Sequence, residues 1–139
     1  EQVIKVKDKG AVFGVSPGVT LSLLEAIERH RLPFLPGGAT VSEFMRNAEA
    51  GHSVQKFFPA ELSGGIGFLR SLASPLSELS FCPTGGVNLG NLASYLALDN
   101  VIAVGGSWFV NPELVGRAAW SDISDGARDA CARIEAVDL

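Results

Sequence analysis

Sulfur, positive charge and long apolar runs are all scarce in this chain, and each scarcity removes a class of function. There are two cysteines, Cys82 and Cys131, far apart and without metal-ligand companions at useful spacing. They exclude a disulfide framework and read as reduced thiols of a cytosolic protein. Basic residues number 11 against 15 acidic ones, a formal net charge of −4, and they are scattered along the chain. Nucleic acid or an anionic membrane would need a clustered cationic stripe, so neither is expected as a partner. An anionic substrate must instead be held by local donors. No apolar run is long enough to cross a bilayer, and the N-terminus carries no signal-peptide pattern. The chain opens on Glu1 rather than Met, as a processed or partial chain does.

Hydrophobic residues make up 47% and charged residues 19% of the 139 positions, which describes one soluble globular domain with a real core. Short apolar runs recur at Ala11–Val15, Pro33–Leu35, Val54–Phe58, Leu79–Cys82 and Val101–Val104, roughly one β/α unit apart. Helical periodicity follows the first four, over Thr20–His30, Val41–Ala50, Gly65–Ala73 and Leu89–Leu98. Ser121–Val137 closes the chain with a polar-faced helix. Thr40 with Glu43 three residues on is a capping box. Repeated strand–loop–helix units with short connections specify a parallel sheet. The connections SPGVT, PGGAT, PAELSGG, PTGGV and GGSW all fall at the carboxyl ends of strands, where such sheets build active sites. The expected fold is α/β, a TIM-type (β/α)8 barrel represented by its last five β/α units. Residues 1–139 then form a single domain lacking the first three units, and an open sheet is the other arrangement these runs allow.

Three of the four lysines lie in the first nine residues, and Lys56 stands apart in Val54-Gln55-Lys56-Phe57-Phe58-Pro59. Alternation puts Val54, Lys56 and Phe58 on one face and Gln55 and Phe57 on the other. An amine beside Val54 and Phe58 is expected to be desolvated, which frees it to attack a carbonyl. A lysine snorkelling to water from a strand end satisfies the same pattern. Thr84-Gly85-Gly86 and Gly105-Gly106-Ser107 follow the last two runs, each leading into a helix. Their backbone N–H groups can cradle a phosphate, although glycine pairs also serve tight turns. The recurrence in successive units favours the phosphate site.

Together, KFFPAE at Lys56–Glu61, CPTGG at Cys82–Gly86, GGSW at Gly105–Trp108 and VSPG at Val15–Gly18 resemble the 2-keto-3-deoxy-6-phosphogluconate aldolase family. The resemblance runs in order over nearly all of the chain. It implies a metal-free, cofactor-free class I aldolase on a barrel, commonly a homotrimer. The family's substrate is a phosphorylated keto acid, split to pyruvate and glyceraldehyde 3-phosphate; some members also cleave 4-hydroxy-2-oxoglutarate. It further implies that Lys56 forms the Schiff base, Phe58 packs beside pyruvate and Pro17 lies in the loop lining the pocket. Thr84 then stands near the aldehyde end and influences stereoselectivity. Gly85, Gly86 and Ser107, with Gly105 and Gly106 in the same loops, contact the phosphate. The family's general-base glutamate and its carboxylate-binding arginine and glycine-threonine segment precede anything in this chain. Glu1 does not replace them, and Glu61 is expected to be structural. This chain alone is therefore expected to be weak or inactive. The alternatives are the related aldolase for the galactonate-derived substrate, a degenerate barrel that only binds anions or assembles, and a phosphate-binding isomerase or synthase barrel.

Overall fold

The structure is a computed structural model describing residues 1–135. All its strands are parallel and lie side by side in chain order. β1 (Gly14–Val15) pairs with β2 (Phe34–Leu35). After Pro36 the same run continues as β3 (Gly37–Gly38), which pairs with β4 (Val54–Phe57), and β4 pairs with β5 (Ser80–Pro83). Pro36 lacks the N–H a continuous ladder needs, which divides the run, but its carbonyl still accepts from Lys56 N–H at 2.8 Å. The fifth apolar run continues the order only as bridges, Phe81 with Val101 and Thr84 with Gly105, not as a strand. The strand order shows no reversal among the described residues, an α/β arrangement of parallel strands in sequence.

Helices cover one face of this sheet. They are α1 (Gln2–Asp8), α2 (Leu21–His30), α3 (Val41–Glu49), α4 (Gly65–Leu72), α5 (Leu92–Leu96), α6 (Pro112–Gly116) and α7 (Trp120–Glu135). Thr20 caps α2 through its hydroxyl, and Thr40 and Glu43 form the expected capping box on α3. Phe44 of α3, Leu69 of α4 and Tyr95 of α5 are fully buried against Phe57 and Phe81 of the strands. The rings of Phe44 and Phe81 meet edge to face with centroids 4.9 Å apart. Apolar burial of this kind supplies about 25 cal/mol per Å², so these side chains hold helices to sheet. The opposite face of the sheet carries no helix from these contacts and is half-exposed at Lys56, Phe58, Cys82 and Thr84.

Several expected boundaries shift. The helix read over Leu89–Leu98 shortens to Leu92–Leu96, because Asn88 and Asn91 bond the loop into a turn of their own. The first residues, assigned to no element from the sequence, form α1. The final expected helix begins one residue early, and its last two positions lie outside the described residues.

Candidate active site

β4 presents its alternation as expected: Gln55 and Phe57 are buried, while Lys56 points to the open face. The Lys56 Nζ stands 4.7 Å from the centroid of the Phe58 ring, within cation–π reach. Desolvation of the amine is the expectation that needs correcting. Val54 below it is 37% exposed and Lys56 itself is only half-buried, so water reaches this face from the side that no helix covers.

Strand register decides what surrounds the amine, because paired residues in a parallel sheet share a face. Lys56 lies opposite Cys82 on one side and Gly37 on the other. Burial pushes the Cys82 thiol up from its ordinary pKa, and the Thr84 hydroxyl and the Lys56 ammonium oppose that rise. Gly37 is a glycine for a visible reason. A Cβ there would come within 2.3 Å of the Pro17 carbonyl carbon and oxygen, so the missing side chain lets the SPG loop lie against the sheet. Pro17, itself exposed, is thereby brought beside the register partner of Lys56.

The two glycine loops meet through the Thr84–Gly105 bridge. Gly85 and Gly86 both adopt positive φ, +95° and +85°, a region in which side chains are strained. A Cβ on Gly85 would touch the Phe58 ring edge at 3.1 Å, and one on Gly86 would lie 2.5 Å from Glu61 Cγ. Among the described residues, the N–H groups of Gly85, Gly86, Val87, Gly106 and Ser107 donate to no protein acceptor. These are the local donors an anion could use. The loops do not lead directly into helices as expected. α5 starts at Leu92, after Asn88 and Asn91 side chains have bonded the Gly86 carbonyl at 3.0 and 3.2 Å, and α6 starts at Pro112. Trp108 lies over Gly106, its ring occupying the space a Cβ would need, and Ser107 is exposed.

Some of the arrangement escaped sequence reasoning. Glu61, expected to be structural, accepts a hydrogen bond from the buried Tyr95 hydroxyl and packs on Gly86. Burial, and then the Glu61 carboxylate, hold the Tyr95 phenol far above its ordinary pKa. Cys82 beside Lys56 was visible only as part of CPTGG. Gln55 was placed on the face opposite Lys56, but its partner Asn47 was not identified; a polar residue three positions after Phe44 on the same helix was the available signal. A hollow of about 580 Å³ between α2 and the α3–β4 turn lies at the amino ends of the strands, the end away from these loops.

With this geometry established, similarity to known proteins is informative. The profile of the family described as KDPG and KHG aldolase matches residues 1–125. The KHG/KDPG aldolase of Escherichia coli (strain K12) is 42% identical over 94% of this chain and 61% of its own length. The 2-dehydro-3-deoxy-phosphogluconate aldolase of Dickeya dadantii (strain 3937) is 42% identical over 95% and 62%. The crystal structure of the KDPG aldolase of Legionella pneumophila, with pyruvate captured as a covalent carbinolamine intermediate, superimposes with a TM-score of 0.85 at 40% identity, covering 99% of this chain and 64% of that one. The aldolase of Zymomonas mobilis ZM4 with 3-phosphoglycerate gives a TM-score of 0.79 at 32% identity over 98% and 61%. The chain thus spans a little over three fifths of the length of these relatives.

Proposed function

This chain belongs to the KDPG and KHG aldolase family, and from that premise we propose that it carries the pyruvate-handling part of an aldolase site, with Lys56 as the Schiff-base nucleophile. The observation that carries the reading is the placement of Lys56 on the open face of β4, above Phe58 and between Gly37 and Cys82. The neutral amine attacks the C2 carbonyl of a 2-keto acid, giving a carbinolamine that loses water to an iminium. The iminium accepts the electron pair of the C3–C4 bond as that bond breaks, and an aldehyde leaves. The resulting enamine takes a proton at C3, and hydrolysis releases pyruvate and the free lysine. The keto acid is 2-keto-3-deoxy-6-phosphogluconate in this reading, and 4-hydroxy-2-oxoglutarate a second substrate. Phe58 and Pro17 flank the pyruvyl group, and Thr84 stands toward the aldehyde. The N–H groups of Gly85, Gly86, Gly106 and Ser107, with Gly105 holding the two loops together, receive the phosphate.

Cleavage also requires a base for the C4 hydroxyl proton. Glu61, the nearest carboxylate in the sequence, is engaged by Tyr95 and serves the loop. We therefore assign it a structural role and place the base outside the residues of this chain. In the same proposal the described units are one domain and one arc of a barrel wall, and the working assembly is a homotrimer. The test of the chemistry is borohydride reduction in the presence of pyruvate, followed by peptide mass spectrometry. A reduced pyruvyl adduct on Lys56 is expected, and none in Lys56→Arg, whose guanidinium stays protonated and forms no imine. An adduct on another lysine, or retained trapping in the arginine variant, would remove Lys56 from this role.

A further inference from the structure

Behind Lys56, on the helix-covered face of the same strand, sits a buried amide pair. Gln55 and Asn47 are both fully buried. The Gln55 Oε1 accepts from Asn47 Nδ2 at 2.9 Å, and Gln55 Nε2 donates to the Phe44 and His52 carbonyls at 2.9 and 3.0 Å. Asn47 Nδ2 also approaches the Gly37 carbonyl at 3.4 Å, and Gly37 is the register partner of Lys56. One cluster therefore touches α3, β3 and β4 at the point where the lysine strand is placed.

On its β5 side β4 is aligned by four paired residues and the core packing of Phe57, but its β3 side lacks a comparable key. A parallel backbone ladder fits equally well after a slip, and side-chain packing normally selects the right alignment. β3 consists of Gly37 and Gly38, so it offers β4 no cross-strand side chain to key against. A slip by one residue would turn Lys56 into the core and Phe57 out of it. The pair also carries a cost that argues against mere space-filling, since Asn47 Oδ1 is buried without a partner. Two apolar side chains would fill the same space without that cost.

We propose that the buried Gln55–Asn47 pair is a positioning device for Lys56, fixing the register of β4 on the glycine strand β3 and so holding the amine on the open face. Its effect on catalysis rests on the reading of Lys56 as the nucleophile; its effect on the strand does not. The test compares the full 139-residue chain with Gln55→Leu, Asn47→Leu and the double variant. Thermal stability is followed together with two local readouts. The first is amide hydrogen exchange at Lys56 and Phe58, whose N–H groups bond Pro36 and Gly38 carbonyls at 2.8 and 3.0 Å. The second is the rate of borohydride-trapped pyruvate adduct at saturating and half-saturating pyruvate.

The single variants strand a buried amide and should lower stability, and the double variant should recover most of it. The double variant should nonetheless exchange the Lys56 and Phe58 amides faster relative to the α4 amides. Its adduct rate at saturation should fall about tenfold or more, as loss of a held attack geometry does, with the half-saturating concentration little changed. A double variant with normal exchange at those two amides overturns the inference. So does one with faster exchange and an undiminished adduct rate. If the unsubstituted chain traps no pyruvate, exchange alone decides the positioning. If the double variant does not fold, Asn47→Ala takes its place: faster exchange at the two amides supports the inference and unchanged exchange overturns it.

Discussion

Individual residues in the site divide by what holds them. Lys56 is held by its strand and faces Phe58, whose ring in turn occupies the space that Gly85 leaves by having no side chain. Gly86 carries two demands at once, a positive φ of +85° and a close approach by Glu61. The same glycine whose N–H has no protein acceptor therefore also admits the Glu61–Tyr95 contact. Cys82 is the residue whose chemistry follows most directly from its surroundings. Burial keeps its thiol protonated above the ordinary thiol range, and the neighbouring ammonium partly counters this. At pH 8 iodoacetamide should label the exposed Cys131 first, with Cys82 slower by roughly an order of magnitude from low access and low thiolate fraction together. Lys56→Met removes the ammonium, so it should slow Cys82 further while leaving Cys131 unchanged. Peptide mass spectrometry over a labelling time course reads both rates. Faster labelling of Cys82 in that variant would mean that the ammonium does not act on the thiol.

At the scale of elements, the parts legible in the sequence are those whose partners are near in the chain. The capping box of α3 is one: Glu43 Oε2 accepts from the Ala39 and Thr40 N–H groups, each at 2.9 Å, and the Thr40 hydroxyl accepts from Glu43 N–H at 3.3 Å. The Ala39 hydrogen bond, then the Thr40 side chain, hold the Glu43 carboxyl below its ordinary value of 4.5. A lowered folded-state pKa means that the unfolded chain binds the proton more readily. The stabilisation is present above pH 4.5 and is lost as pH falls through the lower folded value. Glu43→Gln keeps the shape and removes the charge, and should cost about 1 kcal/mol near neutrality. That difference should shrink below pH 4.5 in urea titrations run at a series of pH values. A difference independent of pH would show that the charge contributes nothing. Less legible were elements whose ends depend on distant partners. Glu61 and Tyr95 are 34 residues apart, and Gln55 meets Asn47 only because α3 folds back over β4. The shortening of α5 followed from two asparagines that composition marks only as turn formers.

For the whole molecule, the order of strands was readable because each apolar run is followed by a loop and, in most units, a helix of recognisable period, and parallel pairing in chain order follows from those short connections. The open face followed from the same count of units, but the half-exposed state of Lys56 did not, since alternation shows which side chains share a face and not how much water reaches them. The same consideration applies at the β1 edge. Val12 is 79% and Phe13 60% exposed there, with Val15 beside them and Ile4 and Val6 of α1 also exposed. A hollow of about 400 Å³ lined by Val3, Val6, Phe13 and Phe34 deepens the patch. Contiguous apolar surface next to a strand edge is a template for another strand. The 139-residue polypeptide should therefore associate with itself as concentration rises. Phe13→Lys places a charge on that edge and should reduce the association seen in sedimentation velocity. Because Phe13 already faces water, folding stability should change by no more than about 0.5 kcal/mol. Pyruvate trapping at Lys56, on a strand two places removed, should be retained in the variant. Unchanged association with Lys at position 13 would mean that the β1 edge is not the contact, and the exposed Leu62, in the loop that follows the lysine strand, would be the next position to test.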